Sequence, residues 1–191
     1  MKLLKCIRHG FSVHNEFYKM YGEKAYYMNE CLDSNLTEEG ISQALELHNA
    51  NLDMLNEVDI VLVSPLYRTL QTAEIAFTGM EKKIIAIDML KEYPNAMEET
   101  NKRKKKSILK SKFLKINFNE LEEEDITYNP VRLETIDELK DRIGRFKNYL
   151  NKEIFFGKKI CIIGHTTFLS YLLWGEEREM EHCKIYDKLM M

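Results

Sequence analysis

Apolar residues fall into short runs that alternate with segments of helical spacing. Leu3-Leu4-Lys5-Cys6-Ile7, Val58-Asp59-Ile60-Val61-Leu62-Val63, Lys83-Ile84-Ile85-Ala86-Ile87 and Lys159-Ile160-Cys161-Ile162-Ile163 are near-continuous apolar runs of strand length. That is the pattern of strands buried on both faces of a parallel sheet. Thr37, followed by Glu38 and Glu39, predicts a helix start: its hydroxyl can cap, and the acids suit the helix dipole. Ile41, Ala44, Leu45, Leu47 and His48 continue that helix. Ser64-Pro65 closes the second strand and predicts a helix with Pro65 in its first turn, carrying Arg68, Thr69, Gln71, Thr72 and Ala73. In residues 135–150, Ile136, Leu139, Ile143, Phe146 and Leu150 form one stripe. A last helix is predicted from about 167 to 173, and the aromatic-rich stretch 11–30 reads as a loop followed by a helix. Strands alternating with helices predict an α/β fold, a three-layer α/β/α sandwich with a mostly parallel central sheet.

Between residues 94 and 129 the pattern changes. Lys102-Arg103-Lys104-Lys105-Lys106 is a basic run, and Glu120, Glu122, Glu123, Glu124 and Asp125 form an acidic one. A stretch this short cannot bury a core alone, so it reads as an insertion in a single domain spanning 1–191. The basic run can be a solvated face, a lid that draws in a phosphorylated substrate, or a nuclear-localisation or nucleic-acid patch. The acidic run can pair with it and cancel its field.

Length and composition narrow the class without naming a function. The 191 residues are 45% hydrophobic and 31% charged, with net charge −3. These values suit one soluble domain and argue against a general nucleic-acid binder. No apolar run approaches the roughly 20 residues needed to cross a bilayer, and Met1-Lys2-Leu3 leads straight into a strand without signal-peptide architecture. The four cysteines, Cys6, Cys31, Cys161 and Cys183, show no metal-binding or redox spacing. Cytoplasmic localisation is therefore expected, with no disulfide or zinc framework, no membrane partner, and a monomer or homodimer.

The chemistry concentrates at two strand ends. Arg8-His9-Gly10 follows the first strand and Gly164-His165 follows the last, 156 positions on from His9. In open α/β sheets, ligands sit beyond the carboxyl ends of the strands, so both histidines can meet at one pocket with Arg8. Arg68 stands one turn beyond another strand end. Arginine's planar, permanently charged fork suits phosphoryl oxygens, and Ser12 and Asn15 offer further hydrogen bonds. No Gly-rich phosphate loop, DxD pair or carboxylate cluster offers a metal site, so neither metal nor cofactor is expected; a nucleophilic histidine fits that pattern.

These residues carry a family resemblance. Arg8-His9-Gly10-Phe11-Ser12-Val13-His14-Asn15 resembles the RHG signature of the histidine phosphatase (phosphoglycerate mutase-like) superfamily. Asp33-Ser34-Asn35-Leu36-Thr37-Glu38-Glu39-Gly40 with Gln43-Ala44, Val63-Ser64-Pro65-Leu66-Tyr67-Arg68-Thr69-Leu70-Gln71-Thr72-Ala73, Leu90-Lys91-Glu92 and Gly164-His165 resemble its further segments, in the same order. The look is nearest to the plant and fungal phosphoglycerate mutase-like proteins. The resemblance implies a phosphoglycerate mutase-like fold and a small phosphorylated substrate. It implies His9 as phosphorylated nucleophile, Arg8, Arg68 and His165 around the phosphoryl oxygens, and Glu92 as general acid and base. Asn15, Ser12 and Thr166 are expected substrate contacts.

Departures favour hydrolysis over mutase activity. Phe11 stands where many mutases carry Glu, Tyr93-Pro94-Asn95-Ala96-Met97 replaces a Gly- and Arg-rich substrate loop, and Thr166-Thr167 follows the second histidine. Two alternatives stay open: a phosphoglycerate mutase, and an inactive phospho-ligand binder. His14, His48 and His182 read as structural histidines.

Overall fold

Four strands of mostly buried residues become neighbours in one sheet. The computed structural model describes residues 2–94 and 99–190. Its six-stranded sheet has the order β4-β3-β2-β5-β1-β6. The strands are β1 (Lys2–Arg8), β2 (Ile60–Val63), β3 (Lys83–Ala86), β4 (Ile116–Asn117), β5 (Ile160–Gly164) and β6 (Ile185–Met190). All pairings are parallel except β1 with β6. Arg8 lies opposite Gly164, and Val63 opposite Ile163, so β1, β2 and β5 end at one level.

Helices cover both faces because alternate strand residues point to opposite sides. Ile7, Val61, Val63, Cys161 and Ile163 pack with α2 (Glu38–Ala50), α3 (Leu52–Glu57), α4 (Tyr67–Ala76) and α5 (Lys106–Lys112). Leu4, Cys6, Ile60, Leu62, Ile160 and Ile162 pack with α6 (Ile136–Tyr149) and α7 (Thr166–Trp174). The expected three-layer α/β/α fold is the observed one. On α6, Leu139, Ile143 and Phe146 are buried as the stripe predicts, and Thr135 and Glu138 form a reciprocal capping box. Each such fully buried Leu, Ile or Phe contributes roughly 1.5–3 kcal/mol relative to exposure. No helix among the described residues is long and apolar enough to cross a membrane.

Local predictions need correction in four places. In 11–30 the order is reversed: α1 (Val13–Tyr21) comes first, capped by Ser12 in a box with Asn15, and two 3-10 turns follow. Second, Pro65 is not in the first turn of α4. The helix starts at Tyr67 because Leu66 is extended and the Asp33 carboxylate accepts the Tyr67 N–H at 2.7 Å. Third, β6 has no counterpart in the sequence reading.

The fourth correction concerns residues 94–129, of which Asn95, Ala96, Met97 and Glu98 lie outside the described residues. Within it, α5 and β4 are part of the sandwich: Leu109, Phe113, Ile116, Phe118 and Leu121 are buried in the same core as Val61 and Ile84. The basic run faces the acidic one instead of covering a site. Lys105 pairs with Glu124, and Lys106 Nζ donates to the Leu121 carbonyl at 2.8 Å. Arg103, only 3% exposed, donates to both Asp88 oxygens and to the carbonyls of Lys104, Glu122, Glu123 and Glu124. Lys91 Nζ and Asp125, both buried, meet at 2.6 Å beneath this segment.

Candidate active site

The turn after β1 is built backwards from its hydrogen bonds. His9 N–H donates to the Gly164 carbonyl at 3.0 Å, which ties the turn to β5. The chain then passes so close to the start of α2 that a Cβ on Gly10 would sit 2.5 Å from the Gly40 carbonyl oxygen, and one on Gly40 2.0 Å from that of Phe11. Only glycine fits at either position. The His9 ring, 3% exposed, has Nδ1 at 2.7 Å from the Gly10 carbonyl oxygen. A carbonyl only accepts, so Nδ1 carries the proton and Nε2 keeps its lone pair.

Two arginines and two histidines are neighbours of the His9 ring. The His9 and His165 ring centroids are 5.1 Å apart, and His182 stands 5.6 Å from His9 on another side. His165 caps the N-terminus of α7 and pairs through Nε2 with the Ser64 hydroxyl at 2.8 Å. Arg68, 1% exposed on α4, donates to Asn101 Oδ1 at 2.9 Å and to the Thr100 carbonyl at 3.4 Å. Arg8 donates to the Met180 carbonyl at 2.6 Å. Nε of Arg8, Nε of Arg68, Nδ1 of His165 and Oγ1 of Thr166 are buried with no hydrogen-bond partner among the described residues. Arg8, Arg68 and Thr166 line one cavity, and unmet buried donors around a cavity are an anion-binding arrangement. Burial first, then the neighbouring positive groups, hold His9 and His165 well below the usual histidine range, so both are neutral at pH 7.

Glu92 enters from beyond β3. Its Oε1 accepts the Tyr93 N–H at 2.8 Å and the Phe168 N–H at 3.3 Å, and Oε2 accepts the Thr167 N–H at 3.4 Å. Burial raises its pKa above the ordinary carboxylate value despite those donors and the arginines. One cavity of about 760 Å3 is lined by Arg8, His9, Asn15, Arg68, Glu92 and Thr166 among others, and His165 is not in that lining. A cavity of that size has room for a leaving group as well as a phosphate. Among the described residues, no group of three or more His, Cys, Asp or Glu side chains is spaced to hold a metal ion.

Most of the residues singled out from the sequence converge. Arg8, His9, Arg68, Glu92, Asn15 and Thr166 line the cavity, and His165 packs against His9. Ser12 does not line it. Ser12 is fully buried as the cap of α1, and its hydroxyl is spent on Asn15 Oδ1 at 2.8 Å. None of residues 102–106 lines it either. Among the wall residues that escaped the sequence reading as site residues, three carry polar contacts or an unmet atom at the site. Asn101 meets Arg68, His14 brings a buried Nε2 with no partner among the described residues, and His182 donates through Nδ1 to the His9 carbonyl at 2.6 Å. The His-Asn pair at 14–15 offered a signal through its place after Arg8-His9-Gly10, and Asn101-Lys102-Arg103 and His182-Cys183-Lys184-Ile185 offered a looser one through their resemblance to plant and fungal phosphoglycerate mutase-like proteins.

Comparison with known proteins bears on the family and the fold. A phosphoglycerate mutase-like protein 1 of Arabidopsis thaliana is 30% identical over 211 residues, covering 93% of this chain and 73% of that protein. The crystal structure of an α-ribazole phosphatase from Shigella flexneri superposes with a TM-score of 0.61 at 25% identity, over 89% of this chain and 77% of that one. A phosphoserine phosphatase from Entamoeba histolytica, solved with 3-phosphoglyceric acid, gives a TM-score of 0.61 at 21% identity, over 98% and 90%. Residues 4–182 match the histidine phosphatase superfamily, branch 1, and the chain belongs to that family.

Proposed function

We propose that the protein hydrolyses phosphomonoesters through a phosphohistidine on His9. One observation carries the reading: the 2.7 Å bond from His9 Nδ1 to its own neighbour's carbonyl leaves Nε2 as a free nucleophile among unmet guanidinium donors. In the first step Nε2 attacks phosphorus and the ester P–O bond breaks. The leaving oxygen takes the proton of Glu92, whose raised pKa suits a general acid. Arg8, Arg68 and His165 neutralise or hydrogen-bond the phosphoryl oxygens. In the second step water attacks phosphorus, Glu92 takes its proton, and the N–P bond breaks to release phosphate and restore His9.

The outer wall favours hydrolysis over transfer between phosphoglycerates. A phosphoglycerate brings a carboxylate besides its phosphate and needs additional cations. Glu177, Glu179 and Glu181 line that wall, Lys19 lies over the Phe11 ring at 4.2 Å, and Arg178 is paired with Glu176. The substrate is therefore a small molecule with one phosphate. The test is release of inorganic phosphate across sugar phosphates, phosphoglycerates, nucleotides and phosphopeptides, with trapping of an acid-labile phosphoenzyme. His9→Ala is expected to abolish both turnover and trapping while keeping the fold. Turnover retained in that variant overturns the mechanism, and phosphate that moves between substrate positions without appearing in solution restores the mutase alternative. Phosphate binding without turnover on any substrate would restore the inactive binder.

A further inference from the structure

His9 is followed by two peptide groups, and each is gripped from both sides. The Gly10–Phe11 peptide offers its carbonyl to His9 Nδ1 at 2.7 Å and its N–H to Gln43 Oε1 at 2.8 Å. The His9–Gly10 peptide offers its N–H to Thr72 Oγ1 at 3.1 Å and its carbonyl to His182 Nδ1 at 2.6 Å. Thr72 in turn donates its hydroxyl to the Arg68 carbonyl at 2.7 Å, which links the turn to the helix carrying Arg68. Gln43 sits on α2 and Thr72 on α4, so three separate parts of the fold converge on two peptides.

The His182 arm needs unusual backbone. Cys183 N–H donates to the Arg8 carbonyl at 2.9 Å, and Cys183 itself sits at φ 54°. A left-handed non-glycine residue is strained and persists only where its surroundings hold it. Here the bend returns the chain so that His182 lies on the turn it follows by 173 positions.

We infer that His182 is a positioning residue for the nucleophile, clamping the His9–Gly10 peptide against Thr72 so that the next carbonyl keeps the proton on His9 Nδ1. The inference rests on His9 being the nucleophile. The physical reason is torsional. Gly10 has no side chain to restrict it, so its conformation is set by what grips the peptides on either side. If the His9–Gly10 peptide turns, the Gly10 carbonyl leaves Nδ1, and the proton can move to Nε2, where it removes the lone pair that must attack. His182 does this with a single donor. Its Nδ1 must carry hydrogen to reach a carbonyl, so an Asn side-chain amide, with an N–H at similar reach, can replace it.

The experiment is nitrogen-15 NMR of the imidazole groups, with p-nitrophenyl phosphate turnover measured on the same samples. In the wild type, His9 is expected as the Nδ1-protonated tautomer. In His182→Ala, His9 is expected to populate both tautomers, with kcat lowered about 10- to 100-fold and KM nearly unchanged because Arg8 and Arg68 remain. His182→Asn should restore the wild-type tautomer and most of kcat. A His9 tautomer unaffected by His182→Ala, or an Asn variant no better than Ala, overturns the inference. If His182→Ala does not fold, Thr72→Val removes the opposite grip on the same peptide and should shift the tautomer, while Thr72→Ser should not. The NMR readout does not require turnover, so a wild type that hydrolyses nothing would defeat the hydrolase reading and leave the clamp to be judged by the tautomer alone.

Discussion

Arg68 and Arg103 are both almost fully buried, yet they are different kinds of residue. Arg103 distributes its guanidinium hydrogens over a carboxylate and four carbonyls of the loop it anchors. Arg68 keeps its Nε without a partner and makes one contact of 2.9 Å and one of 3.4 Å. The lesson is that burial alone does not mark a functional arginine; unmet donors do. A guanidinium whose hydrogens are all placed stabilises a fold. One held in place with hydrogens to spare has its capacity directed at something outside the chain.

The largest expected effect separates the two on activity. Arg68→Ala should lower kcat/KM by about 100- to 1000-fold, as loss of a positioned donor to a developing negative charge does. Its Tm should stay near wild type, as a thermal melt would show. Arg103→Ala should reverse the pattern: denaturant titration should find a loss of about 3 kcal/mol from stranding Asp88 and the loop carbonyls, with kcat of the folded fraction retained. Equal stability losses in both variants, with no difference in activity, would erase the distinction.

A smaller effect concerns pH. His9, His14, His165 and His182 are all held below the usual histidine range, His14 at about 3 and His182 at about 4, with burial as the leading cause. Below about 6.5 the unfolded chain binds protons that these folded histidines refuse, so acidification destabilises. Glu57, Asp59, Glu123, Asp125 and Glu138 are lowered and act the same way. Asp33, raised to about 6, and Glu74 and Glu92, also raised, act oppositely but are fewer. Stability should therefore rise from pH 4 to about 6.5, measured as Tm. His165→Gln should flatten the rise; a Tm that increases on acidification would show that the raised carboxylates dominate.

The smallest effect is expected where the sequence is most conspicuously charged. Replacing Lys102, Lys104 and Lys105 with Ser should leave Tm unchanged and leave KM equal for singly and multiply charged phosphates. Lys105 is paired with Glu124 in solvent, and none of the three lines the cavity. A KM that rises only for multiply charged substrates would reinstate the basic run as an attracting lid.

Much of the frame was legible because its signals are local. Strands buried on both faces write themselves as unbroken apolar runs, and Thr37 caps α2 as its position suggests, accepting the Gly40 N–H at 3.2 Å. The histidines and arginines at strand ends follow from the chain order. The misses are tertiary. In β6, an edge strand, charged Asp187 and Lys188 interrupt the apolar positions, so its pairing with β1 is visible only once β1 is in place. Arg103 looks like any other member of a basic run until Asp88 and the acidic loop close over it. His182 recognises a backbone carbonyl, a group every residue carries, so its partner is not written in the sequence.

The position of β1 in the sheet also orders the protein's synthesis. Leu4 pairs with Ile160 on one side and Lys188 on the other. A ribosome makes β1 long before its two neighbours, β5 and β6, so until they follow the nascent chain carries an apolar ribbon with both edges open. Such edges attract other strands, and contacts of this sequence separation form slowly. The strand that leads into His9 is thus sealed only when β5 and β6 have emerged.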